Sequence, residues 1–144
     1  MSQFNFTIPP WLSIAEREIG VSEKSGKDHE ARIVEYHKTT LLKANEDEIP
    51  WCSSFVNWCM YKAKIYRTDS AAARSWLKWG VNLLIPAFGC VTVLSRGDNP
   101  ASGHVGFYVG STTSDTIRIL GGNQDNKVSI KNFPKSRVLA YRWP

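Results

Sequence analysis

What this sequence lacks excludes several protein classes. Its three cysteines include no Cys-x-x-Cys pair and no Cys/His cluster, so the chain predicts neither a disulfide framework nor a metal site. No apolar run approaches the length of a membrane span. A formal net charge of +5 is too small for the basic stripe of a nucleic-acid-binding protein. We therefore expect no metal, no cofactor, no membrane span and no nucleic-acid partner.

The first residues, MSQFNFTIPPWL, also lack the basic and then apolar pattern of a secretory signal. This predicts a protein made in the cytoplasm without a Sec signal. The composition is that of a globular protein, with 42% hydrophobic and 22% charged residues in a chain of 144. We expect one domain over residues 1–144 and a monomer, and the positive charge favours an anionic polymer as partner.

Four segments in the first half of the chain show helical periodicity. The spacing predicts helices over 10–20, over 31–42 and from Cys52 onwards, and a short capped helix over 70–80. The acidic residues 46–48 are expected in a loop. The helix that starts at Cys52 is expected to be the buried one, because it has an apolar stripe at i, i+3, i+4, i+7 and i+8. That stripe consists of Cys52, Phe55, Val56, Cys59 and Met60.

After Gly80 the pattern changes to short β-branched or aromatic segments that are separated by turn residues. Helices followed by strands predict an α+β fold, with the N-terminal helices packed on one face of a C-terminal antiparallel sheet. The predicted strands cover 89–96, 103–110, 115–122, 127–133 and 137–143.

Cys52 is the candidate nucleophile. It follows Pro50, a residue tolerated at the start of a helix, and so lies in the predicted first turn. The unpaired N–H groups and the positive dipole end of a helix lower the pKa of a thiol in that position. Cys59 and Cys90 lie on an apolar stripe and inside a predicted strand, so we expect both to be core thiols.

His104 is the candidate base. It begins the strand GHVGFYVG, and its neighbours on the same face are Gly106 and Tyr108. We expect the start of the Cys52 helix to pack on that face, because this brings thiol and imidazole within the hydrogen-bond reach that a cysteine–histidine nucleophile requires.

A third polar group usually orients such an imidazole. The next strand ends in LGGNQ, which offers Asn123 and Gln124 at the level of the histidine, and we favour Asn123.

The remaining histidines and the paired tryptophans carry weaker signals. His29 and His37 match no cysteine or carboxylate motif and are expected on the surface or on a helix face. Trp76 and Trp79 are expected to pack on a core rather than to stack on sugar rings.

Four strings in this order, PWCSSFVNWC, ARSWLKWG, GHVGFYVG and LGGNQ, resemble the NlpC/P60 and CHAP superfamily of papain-like peptidoglycan hydrolases. The resemblance covers residues 11–144 and is closest to a small single-domain branch of phage lysins and secreted antibacterial effectors. It implies a papain-like fold in which Cys52 attacks an amide carbonyl, His104 is its base and Asn123 takes the polar third position. Many CHAP members have an acidic residue before that asparagine, where this chain has Gly121.

The implied function is hydrolysis of an amide bond in the peptide part of bacterial peptidoglycan, through a thioester acyl-enzyme. Endopeptidase activity is favoured over amidase activity, and the third catalytic residue stays open between Asn123 and Gln124. The side chains expected to bind substrate are Trp51, Ser53, Tyr108 and Gln124.

Two delivery routes fit the expected absence of a signal. The protein is either a phage-type lysin, or an antibacterial effector that an immunity protein neutralises in the producing cell. In both cases it acts on the cell wall, in the periplasm of the target cell or after lysis. Two other interpretations stay open, namely a catalytically silent wall-binding or interaction domain and an acyltransferase with a substrate outside the wall.

Overall fold

The predicted order of helices and then strands is confirmed. A computed structural model describes residues 7–23, 26–41 and 50–144. In these ranges the helical elements are α1 (Pro10–Arg17), α2 (Lys27–His37), α3 (Cys52–Lys62) and a 3-10 helix (Ala73–Lys78). The strands in the same ranges are β1 (Val81–Leu83), β2 (Val91–Ser95), β3 (Gly103–Thr113), β4 (Thr116–Gly121), β5 (Ser129–Pro134) and β6 (Val138–Trp143).

These strands form one antiparallel sheet in the order β1-β6-β2-β3-β4-β5. Its centre is the β2–β3 pair, in which Leu94 lies opposite His104 and Val93 opposite Val105. The fold is therefore α+β, with the strand that carries His104 in the interior of the sheet.

Two α-helices differ in extent from the prediction. The first ends at Arg17 rather than at residue 20. The second begins at Lys27 rather than 31, and Asp28 and Glu30 in its first turn complement the positive end of the helix dipole. It ends at His37, before a run of turns. Residues 38–41 are therefore not part of the helix predicted over 31–42, whereas residue 42 and the acidic loop expected at 46–48 lie outside the described residues.

The segment predicted as a helix over 70–80 forms a shorter 3-10 helix, and β1 is an additional strand. The pattern missed β1 because a strand of three residues is too short to show alternation. Gly80, which precedes β1, has a φ of 62° and lies so close to Trp143 that a Cβ there would meet its carbonyl oxygen at 2.2 Å. Glycine is thus required where the chain enters this edge strand.

The five residues of the predicted apolar stripe on α3 are all buried, as expected. The polar residues Ser53, Ser54 and Asn57 of the same helix are buried too. Asn57 satisfies its side chain by bonding the backbone around residues 53 and 68–70. The helix is therefore enclosed on its polar side by the segment that leads into the 3-10 helix, as well as by α2 and the sheet.

The packing face predicted for α3 is wrong. The helix packs on the sheet face that carries Val105 and Phe107. His104 points to the opposite face, where its ring stacks on Phe133 with 5.2 Å between ring centroids. Because alternate residues of a strand face opposite sides, a helix that packs on Val105 cannot pack on the face of His104. The two candidate catalytic residues thus reach the same end of the sheet from opposite faces.

Candidate active site

Cys52 is the first residue of α3 and is 3% exposed. Its sulfur accepts a hydrogen bond from the backbone N–H of Val105, the residue that follows His104. The backbone N–H and carbonyl of Tyr108 bond to the chain on the β2 side of β3. Because these groups alternate along a strand, the backbone N–H groups of residues 105 and 107 point toward β4. The pairing of β3 with β4 begins only at Phe107. The sulfur therefore lies beside the backbone of the candidate base.

Burial raises the pKa of the Cys52 thiol above its ordinary value. The Val105 N–H, the positive charge of Arg96 and the N–H groups of residues 52 and 53 act in the opposite direction, but they do not offset desolvation. The lowered pKa expected from the sequence is therefore wrong. The helix start does direct N–H groups at the sulfur, but in a site from which water is nearly excluded.

His104 is 2% exposed, and its Nε2 lies 2.9 Å from Oε1 of Gln124. Burial lowers the pKa of this imidazole to about 4. The bond to Gln124 opposes that shift, while the charges of Arg96, Arg137 and Lys131 add to it. At neutral pH both members of the candidate pair are uncharged, as a thiol and an imidazole.

The hydrogen bonds of Gln124 determine which nitrogen of His104 carries the proton. The Nε2 of Gln124 donates to the carbonyl oxygens of Ile119 (3.1 Å) and Ser129 (2.7 Å). The Oε1 of Gln124 is then the acceptor that faces the ring. A neutral imidazole bonds to an acceptor only through a protonated nitrogen, so Nε2 of His104 carries the proton. The Nδ1 of His104 therefore carries a lone pair. It is buried and has no hydrogen-bond partner among the described residues, so the hydrogen bond expected between the imidazole and the Cys52 thiol is not formed in the structure.

The preference for Asn123 as the orienting residue is corrected by this geometry, since Gln124 makes the bond to the ring. Asn123 has a φ of 56°, in the left-handed region that asparagine tolerates better than most residues. Gly121 also serves the contact, because a Cβ there would lie 2.6 Å from the Gln124 Oε1. The acidic residue found before the asparagine in many CHAP proteins would disrupt this arrangement.

Cys52 opens to a small pocket of about 180 Å³. Among the described residues that line it, Arg96 is the one with a charged side chain. The others carry side chains no larger than the ring of proline. The lining consists of Pro50, Cys52, Ala71, Ala72, Ala73, Arg96, Ala101, Ser102 and Gly103.

Trp51 and Ser53, predicted to bind substrate, are fully buried structural residues. Trp51 stacks on Tyr36, and its indole N–H donates to Glu23. Ser53 donates to the carbonyl of Ser70 (2.7 Å) and accepts from the indole of Trp76 (2.9 Å). Neither side chain lines the pocket, because residues that flank position 52 on a helix point in other directions.

Tyr108 is half-buried, and its hydroxyl lies 2.9 Å from that of Ser111. It stands four residues along β3 from His104, which is about 13 Å at the usual rise of a strand. The predicted substrate contacts of Tyr108 are thus not found at the pocket. Gln124 is the predicted substrate-binding residue that does reach the candidate pair, through the imidazole.

The tryptophans of the 3-10 helix region and the remaining cysteines behave as core residues. Trp76 and Trp79 are 0% and 5% exposed, as expected for core packing rather than sugar stacking. Cys59 and Cys90 are buried and free, which confirms the prediction of core thiols. The described ranges contain no group of three or more His, Cys, Asp or Glu residues arranged for a metal ion.

His37 differs from the expectation of a surface position. It is on a helix but is 1% exposed, and its Nδ1 lies 2.8 Å from the hydroxyl of Ser54. His29 is half-buried, and its Nδ1 accepts the backbone N–H of Ser22 at 3.1 Å. The pattern missed the burial of His37 because the polar residues of α3 that cover it do not look like core.

Arg96 and the Val105 N–H are the site groups that sequence reasoning missed. The sequence pattern places Arg96 only at the end of the predicted strand 89–96, and its nearness along the chain to the strand of His104 is the available signal. A backbone N–H has no signature in the sequence at all. It becomes available only where neighbouring strands part.

The model of the CHAP domain family matches residues 44–123 of this chain. That match covers more than half of the chain and includes Cys52, His104 and Asn123. No curated protein matches the sequence. The chain belongs to the CHAP family, which implies peptidoglycan hydrolysis in the general sense of a cysteine- and histidine-dependent amidase or peptidase. No helix within the described ranges is long and apolar enough to cross a membrane.

Proposed function

We propose that this member of the CHAP family hydrolyses an amide bond in the peptide part of bacterial peptidoglycan, with Cys52 as nucleophile and His104 as base. The observation that carries the proposal is the orientation of the Gln124 amide. It holds the imidazole as the Nε2–H tautomer, so the lone pair of Nδ1 is free to accept a proton. This makes Gln124 the residue that positions the base.

The reaction starts from a neutral pair rather than from a thiolate and an imidazolium. As the sulfur of Cys52 adds to the amide carbonyl, the thiol proton passes to Nδ1 of His104. The imidazolium then protonates the amine, the C–N bond breaks and a thioester remains. Water attacks the thioester with His104 again as base, the C–S bond breaks and its proton returns to the sulfur.

Groups of the site are positioned to stabilise the charges that develop on the sulfur, the carbonyl oxygen and the imidazole during these steps. The positive charge of Arg96 and the N–H of Val105 favour the sulfur anion. The backbone N–H groups of residues 52 and 53 also act on the sulfur. The backbone N–H of Cys52 is the proposed donor to the oxyanion that forms on the substrate carbonyl. Formation of the imidazolium is assisted by the acceptor oxygen of Gln124.

We further propose that the scissile bond lies within the peptide, so that the activity is that of an endopeptidase. Apart from Cys52 and Arg96, the described residues that line the pocket are alanine, glycine, serine and proline, and none of them is aromatic. Such a surface fits short side chains, whereas sugar rings are usually bound on aromatic ones. Cleavage next to the muramic acid, which would make the protein an amidase, is disfavoured for this reason.

Digestion of purified sacculi tests the function. Wild type is compared with Cys52→Ala and with Cys59→Ala as a matched control, and soluble products are identified by mass spectrometry. We expect muropeptides from the wild type and the control only, with a new amino terminus inside the peptide. Products from Cys52→Ala would exclude the assigned nucleophile. Binding to sacculi without any product would indicate a silent wall-binding domain.

Delivery as a secreted effector or as a phage-type lysin is a separate part of the proposal, supported by the sequence alone. Both routes place the activity at the wall rather than in the cytoplasm. Expression in a bacterium with and without an added export signal tests this. We expect lysis only with export and only with Cys52 intact, and lysis from the cytoplasmic form would contradict it. An effector would also need a cognate immunity protein, which its co-expression would reveal as protection from lysis.

A further inference from the structure

Within the described ranges, the pocket beside Cys52 has one charged side chain, and no residue of those ranges forms an ion pair with it. Arg96 is exposed at the end of β2 and takes part in no ion pair of the described chain. It nevertheless lies close enough to the reacting groups for its charge to act on both Cys52 and His104. A guanidinium beside a nucleophile, with no ion pair in the described part of the chain, is a ready partner for a substrate anion.

The rest of the pocket restricts the shape of what can bind there. Three consecutive alanines, 71–73, form one wall, while Ala101, Ser102 and Gly103 form another. Gly103 has no room for a larger residue, because a Cβ there would already lie 3.0 Å from the Leu94 carbonyl oxygen. A pocket of about 180 Å³ with these walls favours a substrate residue with a short side chain.

The wall that carries Arg96 is held in place. Arg74 of the 3-10 helix donates to the carbonyl oxygens of Ser102 (2.6 Å) and Asn99 (3.4 Å). The side chain of Asn99 in turn accepts the backbone N–H of Ala101 at 2.9 Å. The loop after Arg96 is therefore tied to the opposite wall of the pocket. Such pre-organisation reduces the entropic cost of binding, so that contacts made there count toward affinity.

We propose that Arg96 binds a free carboxylate of the wall peptide, next to a residue with a side chain no larger than that of alanine, and so selects the peptide that Cys52 attacks. This inference rests on the proposed function, which supplies the wall peptide as the ligand. The bond itself is a binding interaction that does not depend on turnover. A planar guanidinium donates two parallel hydrogen bonds to a carboxylate, and the opposite charges strengthen them. A carboxamide is neutral and has one oxygen acceptor, so it cannot form this pair.

The test uses cross-linked muropeptides with free carboxylates and the same muropeptides after conversion of every carboxylate to a carboxamide. Their binding is measured by calorimetry on Cys52→Ala, which does not cleave, and on Cys52→Ala with Arg96→Gln. Because a hydrogen-bonded ion pair is involved, we expect the free carboxylate form to bind about tenfold or more tightly. In the double variant this preference should disappear.

Kinetics with the active protein provide the second readout. Arg96→Gln should raise KM for the free carboxylate form more than it lowers kcat, and Arg96→Lys should restore part of the loss. Arg118→Gln is the matched control, because Arg118 is an exposed arginine that does not line the pocket. Its kinetics should equal those of the wild type.

The outcomes separate the two ideas. Equal binding of both muropeptide forms to Cys52→Ala, or a preference that survives Arg96→Gln, would overturn the role of Arg96. A preference that depends on Arg96, without cleavage of either form by the wild type, would support the carboxylate site and contradict the proposed hydrolase.

Discussion

The two ends of α3 place the same residue type in opposite chemical settings. Cys52 and Cys59 lie on one apolar stripe, both are buried, and burial raises the pKa of both thiols. At Cys59 no described residue opposes the effect of desolvation, and the carboxylate of Glu18 raises the pKa further, to well above its ordinary value. At Cys52 several N–H groups and the charge of Arg96 oppose it.

The comparison shows that burial alone does not distinguish a core thiol from a nucleophile. What differs is the supply of hydrogen-bond donors and positive charge around the sulfur. The start of a helix provides donors because its first N–H groups have no partner within the helix. Two turns later the backbone N–H groups are hydrogen-bonded to carbonyl oxygens of the helix itself. The following predictions test this contrast between the active-site end and the core end of α3.

The largest expected effect separates the two cysteines by activity. Cys52→Ala should lower hydrolysis of sacculi by about a thousandfold or more, because the attacking atom is lost. Cys59→Ala should keep most activity and lose about 1–2 kcal/mol of unfolding free energy, since it leaves a small cavity in the core. Dye release from labelled sacculi and urea unfolding measure the two quantities. Equal activity losses would remove the contrast.

The active-site end should also be the more pH-sensitive one. The pKa of His104 falls from 6.5 to about 4 on folding, so below 6.5 the unfolded chain takes up a proton that the folded protein resists. This residue does not reduce the free energy of unfolding at neutral pH. As the pH falls below 6.5 it lowers that free energy, by about 3 kcal/mol once the pH is near 4. Urea unfolding at pH 7 and pH 4.5 should show a smaller decrease for His104→Gln than for wild type. Equal decreases would contradict the lowered pKa.

A substitution at Ser53 tests whether the residue next to Cys52 belongs to the active site or to the core. Ser53 follows Cys52 directly, yet its hydroxyl bridges the Ser70 carbonyl and the Trp76 indole. Ser53→Ala should lower the unfolding free energy by about 1–3 kcal/mol, because it leaves buried polar groups without partners. Activity well below the melting temperature should stay near that of wild type. A specific rise in KM with unchanged thermal unfolding would instead return Ser53 to the substrate pocket.

The smallest expected effect concerns the residue behind the imidazole. Gln124→Ala removes the acceptor that holds the ring and should lower kcat about tenfold. Asn123→Gly is the control, because glycine adopts the positive φ of this position without strain. It should leave kcat nearly unchanged. The reverse order of effects would restore Asn123 as the orienting residue.

Much of this architecture was predictable because it follows from periodicity. The stripe on α3 and the strands around His104 repeat at 3.6 and 2 residues, and each repeat has to bury one face. The expected face of the sheet was wrong for a different reason. Alternation along β3 divides His104, Gly106 and Tyr108 from Val105 and Phe107, but it does not say which set the helix covers. That depends on all the elements that compete for the same core.

The site followed the same division. Cys52 and His104 were identified from helix-start and strand-start patterns, and these are local. The choice between Asn123 and Gln124 was not local, because it depends on which carbonyl oxygens lie within reach of the amide after β4 and β5 pair. Arg96 became part of the pocket only when Arg74 tied the loop after it to the 3-10 helix.

By itself the sequence determined the order of helices and strands, the buried stripe of α3 and the two residues that carry the candidate chemistry, since each depends on neighbours a few positions away. Only the tertiary structure decided the ionisation of those residues, the tautomer of His104 and the charge that faces the pocket. These properties depend on desolvation and on donors that come from distant parts of the chain, which no local pattern records.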